Sequence, residues 1–166
     1  MGIFKGIKSR SLTVFICLGI GFGVGFGAGV YALPILTAEK GLSEDELTQL
    51  AGSTTMQQRT GEFVRELTDS DAFHWGEGKI TVTADKIWLE GTLAPGPDYR
   101  LYLTPEFVDT ESGFKAIKNQ SAQIAPIKAF RNFAVDVPMN IDVSQYGAVL
   151  VWCEAFNQFI TAAPLR

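Results

Sequence analysis

Lys79-Ile80-Thr81-Val82-Thr83-Ala84-Asp85-Lys86-Ile87-Trp88-Leu89-Glu90-Gly91-Thr92-Leu93 is the stretch that decides the fold class. Residues 79–84 alternate apolar and polar, Asp85-Lys86 is a turn candidate, and 86–93 is rich in β-branched and aromatic residues. Period two on both sides of a turn predicts a β-hairpin. Downstream, Pro95-Gly96-Pro97-Asp98 cannot hold regular structure and predicts a loop. Strands are then expected at Tyr99–Thr104, Gln123–Lys128, Phe130–Val137, Ala148–Cys153 and Phe156–Ala163, with a long polar loop over 105–120. Short strands without strong helical periodicity between them predict an all-β antiparallel sandwich or barrel. In 148–153, Val149, Val151 and Cys153 share one face and Ala148, Leu150 and Trp152 the other. Both faces are apolar, so this strand is expected in the middle of a sheet.

Upstream of the hairpin the pattern changes. Ser11 to Leu36 is a run of 26 residues without a charge. About 20 suffice to cross a hydrocarbon core. The apolar stretch of a cleaved signal is usually about 7–15 residues, which favours an anchor over a signal. Lys5, Lys8 and Arg10 precede the run and Glu39 is the first charge after it. The excess of cations on that side predicts a cytoplasmic tail (1–10), a transmembrane helix (11–36) and an exported C-terminal part: periplasmic, lumenal or extracellular. Within the run, Gly19, Gly23 and Gly27 form one G-x-x-x-G ladder and Gly21, Gly25 and Gly29 another. Small residues let a second helix approach closely, so a membrane-protein partner is expected there, besides lipid. Glycine is also common in membrane helices generally.

Leu42-Ser43-Glu44-Asp45-Glu46-Leu47 carries the capping-box and hydrophobic-staple pattern, predicting a short helix over about 44–51 with Gly52 as its stop. Ser53–Gln58 is polar and reads as a tether, so 37–60 is expected to be a short helix and spacer and 61–166 the β domain.

Charge narrows the function. Beyond residue 10 the chain has 11 basic and 18 acidic residues, a net of −7. Nothing in that balance suits nucleic acid, whose phosphates demand a basic patch. No nucleophile elbow, Walker loop or metalloprotease helix is present. His74 and Cys153 are the lone histidine and cysteine of the β domain, the other cysteine being Cys17 in the apolar run. Too few ligands follow for a zinc or haem site built by this chain alone. Cys153 reads either as a small buried hydrophobe or as a reactive thiol. His74 lies in Phe73-His74-Trp75-Gly76-Glu77-Gly78, where glycines on both sides of Glu77 predict a tight loop and a structural histidine. No cofactor is indicated by these residues.

The order of several segments resembles the DM13, or electron-transfer DM13, family. The matching pieces are Phe73-His74-Trp75-Gly76, Ile87-Trp88-Leu89, Gly96-Pro97-Asp98 running into Leu101-Tyr102-Leu103, and Ile124-Ala125-Pro126-Ile127-Lys128. They continue with Phe133–Pro138, Val149–Phe156, Phe159 and Ala162-Ala163-Pro164-Leu165, so the resemblance covers about 61–165. Ala125 and Ala129 stand where glycines are expected. The resemblance implies redox activity centred on Cys153, with His74 as a neighbour, rather than independent catalysis. A different class of role, a non-enzymatic accessory subunit docked through the glycine-rich helix, is equally compatible with the residues.

Overall fold

The computed structural model describes residues 3–53 and 57–166, with side chains from Leu12 onward. Helix α1 spans Ile3–Thr37. Its segment Leu12–Thr37 is long and apolar enough to cross a membrane. The helix starts at Ile3, so the backbone of the basic tail continues α1. The side chains of Lys5, Lys8 and Arg10 lie outside the described residues. Helix α2, Glu44–Ser53, carries the expected capping box: the Ser43 backbone N–H donates to Glu46 Oε2 at 2.8 Å and the Glu46 N–H to Ser43 Oγ at 3.3 Å. Leu47 buries its side chain. The helix runs through Gly52, which therefore does not stop it. Of the expected tether, residues 54–56 lie outside the described residues.

Eight strands follow: β1 (Arg59–Phe63), β2 (Gly76–Val82), β3 (Lys86–Leu93), β4 (Tyr99–Thr104), β5 (Ala122–Ile127), β6 (Ala134–Asp136), β7 (Ala148–Cys153) and β8 (Gln158–Pro164). They form two antiparallel four-stranded sheets, ordered β1-β2-β3-β6 and β5-β4-β7-β8. The sandwich expected from the hairpin is the fold. In that hairpin Ile80 pairs with Leu89 and Val82 with Ile87. Alternation sends Ile80, Val82, Ile87 and Leu89 inward, where they meet Leu101, Leu103, Val149, Val151 and Ile160 of the other sheet. β7 is central, as its two apolar faces require.

The second face of β7 is covered by an element the sequence reading missed. Within 105–120, expected as loop, helix α3 spans Glu111–Ile117. Thr110 caps it by accepting the Gly113 N–H at 3.1 Å. Phe114 and Ile117 of α3 pack on Tyr102, Leu150, Trp152, Phe159 and Ala162. A two-turn helix is marginal by itself and forms here because that apolar sheet face needs a cover.

Four boundaries also move. β1 begins at Arg59, inside the expected spacer, because Arg59 and Thr60 pair with Val82 and Thr81. Gly76-Glu77-Gly78 is the start of β2 rather than a tight loop. Gly78, at φ 115°, sits opposite Gly91, and a side chain on either would strike the other strand's backbone. The strand expected over 130–137 shrinks to β6 because Asn132 takes a left-handed φ of 48° and its side chain accepts the Gly91 N–H at 2.9 Å. The last strand starts at Gln158, after a turn in which Asn157 has φ 51°.

The segment joining α1 to α2 is fastened to the domain. Glu39 N donates to Lys128 O at 2.9 Å and Leu42 N to Asn132 O at 2.7 Å. Gly41 lies so close to the Arg131 carbonyl that no side chain would fit.

Candidate functional site

Cys153 ends β7, directly across from Tyr99 at the start of β4. The Pro95–Asp98 loop leads into Tyr99, so two distant sequence segments become neighbours. Cys153 Sγ donates to Pro97 O at 3.0 Å, and Glu154 N donates to Asp98 O at 3.1 Å. Asp98 holds φ at 52°, a conformation that Asp tolerates better than most residues. Its carboxylate meets Arg100 Nη2 at 2.5 Å. Gly96 is fixed by a close approach: a Cβ there would collide with the hydroxyl of Tyr99. Tyr99 is buried and meets Phe130 edge to face, with ring centroids 5.8 Å apart.

His74 precedes β2. Asp71 makes a short turn around it, accepting the Phe73 and His74 N–H groups on Oδ1 at 2.6 and 2.9 Å. Asp71 Oδ2 then contacts His74 Nδ1 at 2.8 Å. A carboxylate on one ring nitrogen orients the imidazole and leaves Nε2 for other work. Asp71 was not singled out from sequence. The signal was its place three residues before the histidine, the spacing of a side-chain-capped turn. The carboxyl of Asp71 is held below its ordinary range: burial raises it, and the bonds from His74 and the Phe73 backbone outweigh that.

Cys153 and His74 line one pocket of about 230 Å³. Its walls include Phe73, Pro97, Tyr99, Phe156 and Ile160 from the domain and Gly27, Val30 and Tyr31 from α1. Tyr31 meets Phe73 edge to face at 6.0 Å. The lining is largely carbon, with the thiol and the imidazole as its titratable groups besides two phenols.

Burial pushes the Cys153 thiol up. The backbone N–H groups of Phe156 and Ala155 oppose this, and the Asp98 and Glu154 carboxylates add to it. Only 2% of Cys153 is exposed. The neutral thiol therefore dominates at neutral pH, and this is not the depressed pKa of a nucleophilic cysteine. Tyr99 is shifted upward too, by burial first and then by the neighbouring thiol, so its phenol stays protonated.

The six glycines Gly19, Gly21, Gly23, Gly25, Gly27 and Gly29 are not drawn into a packed contact: open space lies where each Cβ would stand. Cys17 is exposed on α1 and Cys153 is buried, and both are free thiols. Among the described residues, no group of three His, Cys, Asp or Glu side chains is placed to hold a metal ion.

The family model for electron transfer DM13 matches residues 63–165. No curated protein and no solved structure matches the chain. The match takes in strands β2 to β8, the Pro95–Asp98 loop, His74 and Cys153, and most of the chain. The chain belongs to the electron-transfer DM13 family.

Proposed function

We propose that this domain is a redox module held at a membrane by α1, that the domain lies on the non-cytoplasmic side, and that Cys153 is its reactive group. The observation that carries the reading is the convergence of Cys153, His74 and Tyr99 on one pocket from three separate segments. The family match supplies the redox class. A buried, protonated thiol is a poor thiolate nucleophile. With a one-electron oxidant of the membrane as acceptor, the thiol gives up an electron and its proton together and is left as a thiyl radical, which a one-electron reductant and a proton return to the thiol. His74, oriented by Asp71, is proposed as the polar group that shares the pocket with the thiol.

The test uses the full chain in right-side-out vesicles. External protease is expected to release the domain; its protection would reverse the orientation. Cys153→Ala and Cys153→Ser are expected to keep the native circular dichroism and to lose electron exchange with added oxidants and reductants. In the unmodified chain, the alkylation rate of Cys153 is expected to keep rising above pH 9.0, the ordinary thiol value, because burial raises the folded-state pKa. Exchange that persists in both variants would remove Cys153 from the reaction.

A second reading is an accessory subunit docked through α1. The open space beside the glycines favours it, since among the described residues nothing lies within 4 Å of where a Cβ would stand, and a partner helix could approach the ladder positions away from the Gly27 pocket wall.

A further inference from the structure

We infer that the Cys153–His74 pocket binds the ring of a membrane-dissolved quinone. The inference rests on the electron-transfer reading and names the ligand class of that same site. Three observations carry it.

The first is size. A cavity of ~150 Å³ holds a benzene molecule. At about 230 Å³ this pocket has room for one substituted six-membered ring.

The second is the chemistry of the walls. Phe73, Tyr31 and Phe156 offer ring faces and edges, and Pro97 offers a flat apolar surface. Such walls suit a flat, uncharged ring. His74 has Nδ1 committed to the Asp71 carboxylate, so Nε2 remains for a ligand: the imidazolium donates from it to a quinone carbonyl oxygen, and the neutral ring accepts there from a quinol hydroxyl. A charged ligand finds no matching arginine or lysine in the lining.

The third is depth. A helix rises 1.5 Å per residue, so about 20 residues from Leu12 cross a ~30 Å hydrocarbon core and reach Tyr31. Gly27, Val30 and Tyr31 then put the pocket at the outer boundary of the bilayer, where tyrosine is favoured. Phe73 and Phe156, 61% and 57% exposed, stand at the same place on the domain. Exposed aromatic side chains beside a membrane helix mark a surface that meets lipid. A ligand dissolved in the bilayer reaches this pocket without crossing water, its isoprenoid tail remaining among the lipids.

The experiment titrates the full chain, solubilised in detergent, with decylubiquinone in its oxidised form. That ring is fully substituted and offers no free position for thiol addition. Saturable binding at one site per chain is expected, with decanol, which has the tail and no ring, failing to compete. Phe73→Ala and Tyr31→Ala change side chains that are at least half exposed or nearly so, and should leave the fold intact. Each is expected to weaken binding about tenfold. His74→Gln is expected to shift the infrared band of the bound quinone carbonyl. Absence of saturable binding, full displacement by decanol, or unchanged affinity in both aromatic variants would overturn the inference. The two readings fail separately. Electron exchange without quinone binding removes only this inference. Quinone binding with exchange unaffected by loss of Cys153 removes only the role of the thiol.

Discussion

Glu154 follows the pocket cysteine and gathers three elements. Its carboxylate accepts from Lys118 Nζ at 2.7 Å and from the Tyr102 hydroxyl at 2.5 Å, while its N–H holds the Asp98 carbonyl. Burial raises its pKa, but Lys118 and Tyr102 outweigh burial and leave it below the ordinary 4.5. A carboxyl depressed by folding stabilises the native state above its unfolded pKa, and that contribution fades as pH falls through the folded value. Thermal melts of Glu154→Gln are therefore expected to show a lower Tm than the unmodified chain at pH 6 and a smaller difference below pH 4. Equal melting at both pH values would show the carboxylate to be idle. Gly96 and Tyr99 make a similar pair at this scale, the missing Cβ of one accommodating the hydroxyl of the other.

At the scale of elements, the hairpin 79–93 was legible because each residue's environment repeats with period two and is set by its immediate neighbours. The α2 capping box was legible for the same reason, its partners lying three residues apart. Helix α3 was not. It has seven residues, and its reason for existing is Trp152 and Leu150 on β7, far along the chain. The clue was indirect: a strand apolar on both faces needs two covers, and the sandwich supplies one. For the site, Cys153 and His74 were named from sequence as the lone residues of their kinds in the domain. Asp71 and the α1 wall were not, because only the fold brings them there. Phe114 tests the account of α3. It is fully buried against Tyr102 and Trp152, with ring centroids at 5.0 and 4.9 Å. Phe114→Ala is expected to cost about 3–5 kcal/mol in chemical denaturation, as buried aromatic truncations do. A cost under about 1 kcal/mol, the level of a tolerated surface change, would mean that α3 is not the needed cover.

For the whole molecule, the question is what else a helix long and apolar enough to cross a membrane can do. Among the described residues, nothing lies within 4 Å of where a Cβ would stand on each ladder glycine. Gly19→Ile and Gly23→Ile, on the ladder but away from the pocket wall, are expected to leave membrane insertion and domain folding unchanged. They are expected to reduce recovery of any partner chain after gentle detergent extraction. Recovery equal to that of the unmodified protein would leave the accessory-subunit reading without its surface, and would leave the redox reading untouched.

The backbone bonds of Glu39 and Leu42 to residues 128–132, with Gly41 pressed against Arg131, give the domain the mounting of a bracket rather than a leash. A leashed domain sweeps a volume and can visit partners at many heights. A bracketed one keeps a fixed standoff and a fixed heading, and turns only as its helix turns. On a membrane, its encounters are then confined to a thin slab parallel to the bilayer. The rate at which it meets anything depends on two-dimensional traffic within that slab, on lateral diffusion and crowding, and hardly on how far the chain could be stretched.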